Sequence, residues 1–136
     1  MKTLRGFLFY WLPPLALMSL IFYLSSLSGL PDFETFDIAM KKGAHVTVYA
    51  FLYLLLFRAF HSVRPGAGRP SFLIYVVAAS IAVLYAISDE IHQSFVPLRN
   101  ATVQDVIIDS VGILVMWFLV WKKPLMFSRI LRKPAP

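Results

Sequence analysis

Cysteine is absent from the 136-residue sequence, and charged residues make up only 15% of it. A soluble domain carries about 25% charged residues. The absence of cysteine excludes a disulfide scaffold, and a hydrophobic content of 59% excludes a disordered chain. Six glycines without a three-residue period exclude collagen. With a mean hydropathy of +0.72, the composition is that of a membrane protein.

Acidic residues are also scarce, and their positions are informative. All seven lie in two segments, 32–37 and 89–109, whereas the 13 Lys and Arg residues flank apolar runs. A nucleic-acid-binding protein gathers its basic residues on one polar face with base-reading or stacking groups between them. The net charge of +6 therefore does not indicate a nucleic-acid partner.

Four apolar runs are long enough to cross a hydrocarbon core of about 30 Å, which takes about 20 helical residues. They predict helices at about 6–28, 43–60, 71–92 and 104–121. We expect an all-α, multi-pass membrane protein in which residues 1–136 form one domain, a compact four-helix bundle in the lipid bilayer. The first run also fits a cleaved signal peptide, but its length and Pro13-Pro14 favour a retained, kinked helix.

The distribution of basic residues predicts the topology, because Lys and Arg are retained on the cytoplasmic side. With the N-terminus inside, ten basic residues are cytoplasmic and three are external, so we expect both termini to be cytoplasmic. The external residues are Lys41, Lys42 and Arg99; the cytoplasmic ones are Lys2, Arg5, Arg58, Arg64, Arg69, Lys122, Lys123, Arg129, Arg132 and Lys133. Residues 61–70, including His61, are predicted to be a cytoplasmic loop. Residues 29–41 alternate apolar and acidic side chains and are predicted to lie along the outer interface.

Polar residues recur at helical spacing at the outer ends of three predicted helices. The stripes are Lys42, His45 and Tyr49 on the second helix; Tyr85, Asp89, His92 and Gln93, with Glu90 to one side, on the third; and Asp105, Asp109 and Gly112 on the fourth. Ionisable groups at membrane depth are costly unless they face a bundle interior, a partner or a wet cavity. We therefore expect the three stripes to meet in one site. Gly112 marks a point where another helix can approach closely.

Structural interpretations of some of these residues stay open. Tyr49 can be an interfacial or packing aromatic residue, and Lys42 can extend its side chain to water. Asp105 can cap the fourth helix, and Asp109 can be a neutral buried acid.

These residues resemble those of the VanZ-like membrane proteins. The likeness covers Lys42-x-x-His45-x-x-x-Tyr49, the segment YAISDEIHQSFVPLRNATVQD at 85–105, and Asp109 with Gly112. The family often has Gly in place of Leu98, and Asn in place of Asp109. The resemblance implies a protein of the bacterial cytoplasmic membrane. It also implies a link to low-level resistance to the glycopeptide teicoplanin, without ligase or dipeptidase activity on the peptidoglycan terminus.

Two hypotheses about function follow, and the sequence leaves open whether a reaction is catalysed. In the first, the protein is a membrane-embedded hydrolase or transferase acting on a lipid-linked or cell-envelope substrate at the outer face. Its catalytic residues are Asp89, Glu90, His92 and His45; its substrate-binding residues are Lys42, Tyr49, Gln93, Arg99, Asp105 and Asp109. Histidines and carboxylates held close together can exchange protons near neutral pH.

In this first hypothesis Lys42 and Arg99 hold an anionic head group. His45 and His92 shuttle protons or bind a divalent metal together with Asp105, although none of the recognised metal-binding spacings is present. No activated nucleophile is evident in the sequence. In the second hypothesis the same cluster is not catalytic: it binds an anionic lipid, glycolipid or lipophilic antibiotic, relays protons, or only ties the helices together.

Overall fold

Four α-helices make up the computed structural model, which describes residues 4–28, 35–63, 69–99, 101–123 and 127. They are α1 (Leu4–Ser25), α2 (Thr35–Ser62), α3 (Phe72–Gln93) and α4 (Val103–Lys122). No strand occurs within these described ranges. Each helix contains a segment that is long and apolar enough to cross a membrane, and in α2 this segment is Lys42–Ser62. The chain is therefore an all-α, multi-pass membrane protein.

The second helix lies at the centre of the bundle. It packs against each of the other three helices, and α3 and α4 also pack against each other, whereas α1 contacts α2 and α3. Within the most apolar stretch of each helix, 44% of the residues of α2 are buried but only 11% of those of α1. The exposed side chains of α1 are large and apolar, as expected for a helix that faces lipid on most of its surface.

Aromatic and small residues from different helices form the core. Tyr49, Tyr53 and Phe57 follow one face of α2 and are fully buried. On α3 the buried face is lined by alanines, among them Ala78 and Ala82, which are small residues typical of contacts between membrane helices. The central helix meets α3 through aromatic rings, with the centroids of Phe57 and Tyr75 4.9 Å apart.

The predicted helices agree with the observed ones to within three residues, apart from one boundary. The second helix begins at Thr35, eight residues before the predicted start. Residues 35–41 therefore belong to α2, ahead of its apolar segment Lys42–Ser62, and their position along the outer interface stays a prediction; residues 29–34 lie outside the described residues. The prediction of a loop was also wrong for His61, which lies in the last turn of α2 and stacks on Phe57 at 6.0 Å.

Proline does not interrupt the first helix. Pro13 and Pro14 both lie inside α1, which is continuous from Leu4 to Ser25. Pro14 is buried, so the rings of this pair are accommodated within the bundle. Neighbouring helices make such prolines tolerable in membrane-spanning segments.

Candidate functional site

One end of the bundle collects the polar side chains, and we call it the polar end. There α1 ends at Ser25, α3 ends at Gln93, α4 begins at Val103, and α2 contributes Lys42–Tyr49. Side-chain hydrogen bonds connect all four helices at this end. The three polar stripes predicted from helical spacing thus lie at the same end of the fold.

A histidine and an aspartate from different helices form a partly buried pair at the polar end. Nδ1 of His45 on α2 lies 3.2 Å from Oδ1 of Asp109 on α4. The Asp109 side chain is 3% exposed, whereas that of His45 is 37% exposed. Because Nδ1 faces the buried carboxylate, the other ring nitrogen, Nε2, is the one available for an external partner. The pair has the geometry of a histidine that a carboxylate holds in one orientation.

A second buried carboxyl group lies behind this pair. Oδ2 of Asp89 accepts hydrogen bonds from the Tyr49 hydroxyl at 3.3 Å and from Nε2 of Gln93 at 3.0 Å. Gln93 also donates to the Ser25 hydroxyl of α1 at 3.4 Å. Tyr49 stacks on His45, with the ring centroids 6.5 Å apart. The chain of contacts therefore runs from α1 through α3 to α2 and, through His45, to α4.

Asp89 keeps one oxygen without a partner. Its residue is 4% exposed, and Oδ1 makes no hydrogen bond to any described residue. A buried oxygen left in this state costs about 1–3 kcal/mol, more when the group is charged. Asp89 therefore retains capacity to accept a hydrogen bond that the described part of the protein does not use.

His92 faces a different side of the polar end. Its ring stacks on Phe22 of α1 at 4.2 Å, and its Nε2 lies 2.9 Å from the Ser26 hydroxyl. Because Ser26 donates its own proton to the Phe22 carbonyl, the hydroxyl accepts from His92. His92 thus joins α3 to the end of α1 and does not meet His45.

Glu90 and Asp105 meet at the start of α4. Oε1 of Glu90 accepts a hydrogen bond from the backbone N–H of Thr102. Thr102 is the N-cap of α4: its hydroxyl accepts from the Asp105 backbone at 3.3 Å and donates to the Asp105 carboxylate at 2.8 Å. The cap of α4 is therefore Thr102 and not Asp105, which lies in the first turn and binds the cap through its backbone N–H and its carboxylate.

Arg99 binds two backbone carbonyl groups, one in the last turn of α1 and one just after its end. Nη2 donates to the Leu24 carbonyl at 2.8 Å and Nε to that of Leu27 at 3.2 Å. The last carbonyl groups of a helix lack partners inside the helix and carry partial negative charge, so a guanidinium satisfies them well. The preceding residue, Leu98, has a positive φ of 64° and is 88% exposed. The turn that aims Arg99 at α1 thus needs a backbone conformation that favours glycine.

Lys42 and Tyr85 complete the predicted set. Lys42 is exposed, one helical turn before His45, and makes no hydrogen bond or ion pair within the described ranges. Tyr85 donates to the Met18 carbonyl of α1 at 2.5 Å and so fastens α3 to α1.

The histidine and carboxyl groups of the polar end do not converge on a metal site. Among the residues that the structure describes, no three His, Asp or Glu side chains are close enough together to hold a metal ion. The sequence suggested that His45, His92 and Asp105 could share a metal ion. In the structure they have separate partners: His45 binds Asp109 of α4, His92 binds Ser26 at the end of α1, and Asp105 binds the cap of α4.

Close approach of two helices aligns His45 with Asp109. Gly112, one turn after Asp109, packs on the backbone of Val46, the neighbour of His45. A Cβ at Gly112 would lie 2.9 Å from the Val46 carbonyl carbon and closer still to its oxygen. Only glycine permits this separation of α2 and α4. The close contact at Gly112 agrees with the prediction from the sequence.

Sequence reasoning missed the contributions of α1 and of the connection before α4. Ser25 and Ser26 bind Gln93 and His92, and Thr102 binds Glu90 and Asp105. The sequence signal was the run of polar residues ending the first apolar segment, which also fits a signal-peptide cleavage site. Isolated serines are too common at helix ends to reveal a partner on another helix.

The arrangement can move a proton at Nε2 of His45. Asp109 holds the ring and can stabilise its charged form. In the described part of the chain, no serine or threonine hydroxyl is bonded to His45 in the way a nucleophile bonds to its base. Chemistry at this site would therefore act on water or on a group of the substrate.

One of the comparisons with known proteins found a match. A family model described as VanZ/LLP1 matches residues 7–128, which include all four helices nearly completely. Searches of curated proteins and of solved structures found no match to this chain.

Proposed function

The chain belongs to the VanZ/LLP1 family, and from this premise we propose that its polar end acts on a lipid-linked or cell-envelope substrate at the outer membrane face. The observation that carries the proposal is the half-exposed His45 hydrogen-bonded to the buried Asp109. A carboxylate that orients an imidazole is a recurrent arrangement for proton transfer. The reaction class is hydrolysis or group transfer.

The proposed step begins at Nε2 of His45, which takes a proton from water or from a substrate hydroxyl. The oxygen then attacks the substrate, and His45 returns the proton to the leaving group. Asp109 stabilises the imidazolium formed between these events. In this proposal Asp89, Tyr49 and Gln93 support the pair from behind, and the buried Oδ1 of Asp89 can accept a hydrogen bond from a water molecule enclosed in the bundle.

Lys42 binds the charged part of the substrate in this proposal. It is exposed beside His45, so an anionic head group can reach both side chains. Glu90, Asp105, Arg99 and His92 act as positioning residues, because each is engaged with the backbone or with another helix.

The family resemblance extends the proposal to teicoplanin resistance. Teicoplanin carries a fatty chain, which favours contact with a site that opens at the membrane surface. A protein that changes a lipid-linked envelope component would affect teicoplanin more than a glycopeptide without such a chain.

A binding function without catalysis is the second candidate. It is favoured by one observation: among the described residues of the site, every one except Lys42 already binds another part of the protein, and His45 does so through Nδ1. In this case Lys42 and His45 recognise an anionic lipid head group, and nothing is turned over.

The test compares the full-length protein with His45→Gln, Asp109→Asn and Lys42→Gln in nanodiscs prepared with a total envelope lipid extract. Mass spectrometry follows new lipid products and retained lipids. Catalysis predicts a product whose formation falls at least about 100-fold in His45→Gln, the usual contribution of a general base. Product formation should fall less in Asp109→Asn, because the carboxamide oxygen of the asparagine still accepts a hydrogen bond from Nδ1 of His45.

His61→Gln is the matched control, since His61 lies on the same helix at the opposite end. It should leave product formation unchanged, and thermal unfolding should show that all variants fold. Equal turnover in His45→Gln and wild type would refute the catalytic proposal. A lipid retained by wild type and lost in Lys42→Gln, with no product, would establish the binding function instead.

A further inference from the structure

A second feature extends from the middle of the bundle into the half away from the polar end. An open groove of about 530 Å³ runs between α3 and α4, within the size range of ligand sites. Its lining is apolar apart from two serine hydroxyls. The lining residues are Val76, Ala79, Ser80, Val83, Leu84, Ser110, Ile113, Leu114 and Trp117.

The shape of the groove suits a thin chain better than a helix. Leu84 and Leu114 project from the two helices and are 63% and 58% exposed. Contacts between membrane helices are enriched in small residues, so bulky residues on both rims disfavour the close approach of a second helix. A single hydrocarbon chain can lie between the rims on Ala79 and Ser80.

The length and position of the groove match one leaflet. From Val76 to Leu84 it extends about 12 Å, against about 15 Å for half the hydrocarbon core. It begins four residues after the start of α3, so it lies mainly in the half remote from Gln93. The head group of a lipid bound here would therefore lie at the opposite end from His45.

That opposite end is basic and has no carboxylate side chain nearby in the sequence. Arg69 precedes α3, and Lys122 and Lys123 end α4; all three are exposed. The sequence contains no Asp or Glu at 38–88 or after Asp109. Phe72 and Trp117, with ring centroids 6.2 Å apart, lie between the groove and this basic end. Aromatic residues at such a boundary are typical of the membrane–water interface.

We propose that the α3–α4 groove and the basic end form a binding site for an anionic glycerophospholipid of that leaflet. One acyl chain occupies the groove, and the phosphate lies against Arg69, Lys122 and Lys123. The positive-inside distribution predicts that this is the cytoplasmic leaflet. The site is separate from the polar end and does not depend on catalysis there.

The test uses fluorescence quenching of Trp117 in the full-length protein carrying Trp11→Phe and Trp121→Phe. The probes are nanodiscs of phosphatidylcholine with increasing fractions of brominated phosphatidylglycerol or brominated phosphatidylcholine. We expect half of the Trp117 fluorescence to be quenched at a much lower fraction of brominated phosphatidylglycerol than of brominated phosphatidylcholine. Lys122→Gln with Lys123→Gln should weaken this preference about 30-fold at low salt.

Two controls separate the site from general contact with lipid. Ser80→Phe fills the groove and should abolish the preference, whereas Ser19→Phe, on the exposed face of α1, should not. Arg5→Gln removes a basic residue from α1 and should leave the preference intact. Circular dichroism checks the helix content of each variant. The Lys122→Gln and Lys123→Gln changes are at exposed positions, so their effect on lipid preference does not depend on repacking of the helices.

Equal quenching by the two lipids would overturn the proposal. So would a preference that Ser80→Phe and Ser19→Phe reduce alike. A crosslink between Ser80→Cys residues of two copies would show instead that a second copy covers the groove.

Discussion

Asp109 and Asp89 are nearly inaccessible carboxyl groups inside an apolar bundle, and their partners differ in kind. Asp109 binds a histidine that reaches the surface, whereas Asp89 binds neutral donors from Tyr49 and Gln93. Burial of such groups is costly unless hydrogen bonds replace water. The difference in partners distinguishes the roles of the two residues. Asp109 orients the imidazole of His45, which can exchange protons with the solvent, whereas Asp89 joins α3 to Tyr49 of α2 inside the bundle.

Leu98 offers a test of backbone strain at a single residue. Its φ of 64° is unfavourable for a residue with a Cβ by roughly 1–2 kcal/mol. Leu98→Gly should therefore raise the free energy of unfolding by about 1 kcal/mol, after allowance for the greater freedom of glycine in the unfolded chain. The measurement is reversible unfolding in mixed micelles, followed by circular dichroism.

Leu98→Ala is the control, because it removes the exposed side chain but keeps the Cβ. It should not stabilise the protein. If Leu98→Gly were no more stable than Leu98→Ala, strain at this turn would not be the cause. The resemblance to VanZ-like proteins indicated glycine here, but the positive φ explains why glycine suits the position.

At the scale of elements, the contact between α2 and α4 aligns the candidate site. Gly112 lets the α4 backbone meet that of α2 at Val46, and the His45–Asp109 hydrogen bond forms one turn away. The spacing of Asp105, Asp109 and Gly112 predicted one face and one close approach. It could not predict which helix approaches, because the same face is compatible with either neighbour.

Gly112→Ala should separate α2 from α4 and lower the free energy of unfolding by about 1–3 kcal/mol, the usual cost of overpacking. It should also break the His45–Asp109 hydrogen bond. The measurements are the unfolding free energy and the ¹⁵N chemical shifts of the His45 ring, which report the hydrogen bonding of Nδ1.

Gly43→Ala provides the matched control on α2, where a Cβ would meet no atom within 4 Å. Alanine is the better helix former, so this variant should gain roughly 0.5–1 kcal/mol or stay unchanged. Unaltered His45 shifts and stability in Gly112→Ala would contradict the alignment role of this contact.

At the scale of the whole molecule, the bundle has two chemically different ends. The polar end contains Asp89, Glu90, Asp105 and Asp109, and the basic end contains Arg69, Lys122 and Lys123. This separation places the candidate site of His45 and the proposed lipid site at opposite membrane faces. Their orientation follows from the positive-inside rule and stays a prediction.

Cysteine labelling can establish the orientation, because the chain has no native cysteine. Ser94→Cys, at an exposed position after α3, should react with a membrane-impermeant maleimide in intact cells. Gly66→Cys, in the sequence segment between the second and third apolar runs, should react only after the membrane is permeabilised. The reverse pattern would place His45 at the cytoplasmic face and overturn the proposed outer-face function.

The sequence by itself determined the four membrane-spanning helices and the concentration of polar stripes at one end, because length, hydropathy and helical spacing are local properties. Only the tertiary structure decided which residues pair. His45 and Asp109 are 64 positions apart in the sequence, and His92 and Ser26 are 66 positions apart. Such contacts depend on the rotation and separation of packed helices, and Gly112 sets the separation of α4 from α2. The same packing explains why two histidines predicted in one site face different helices.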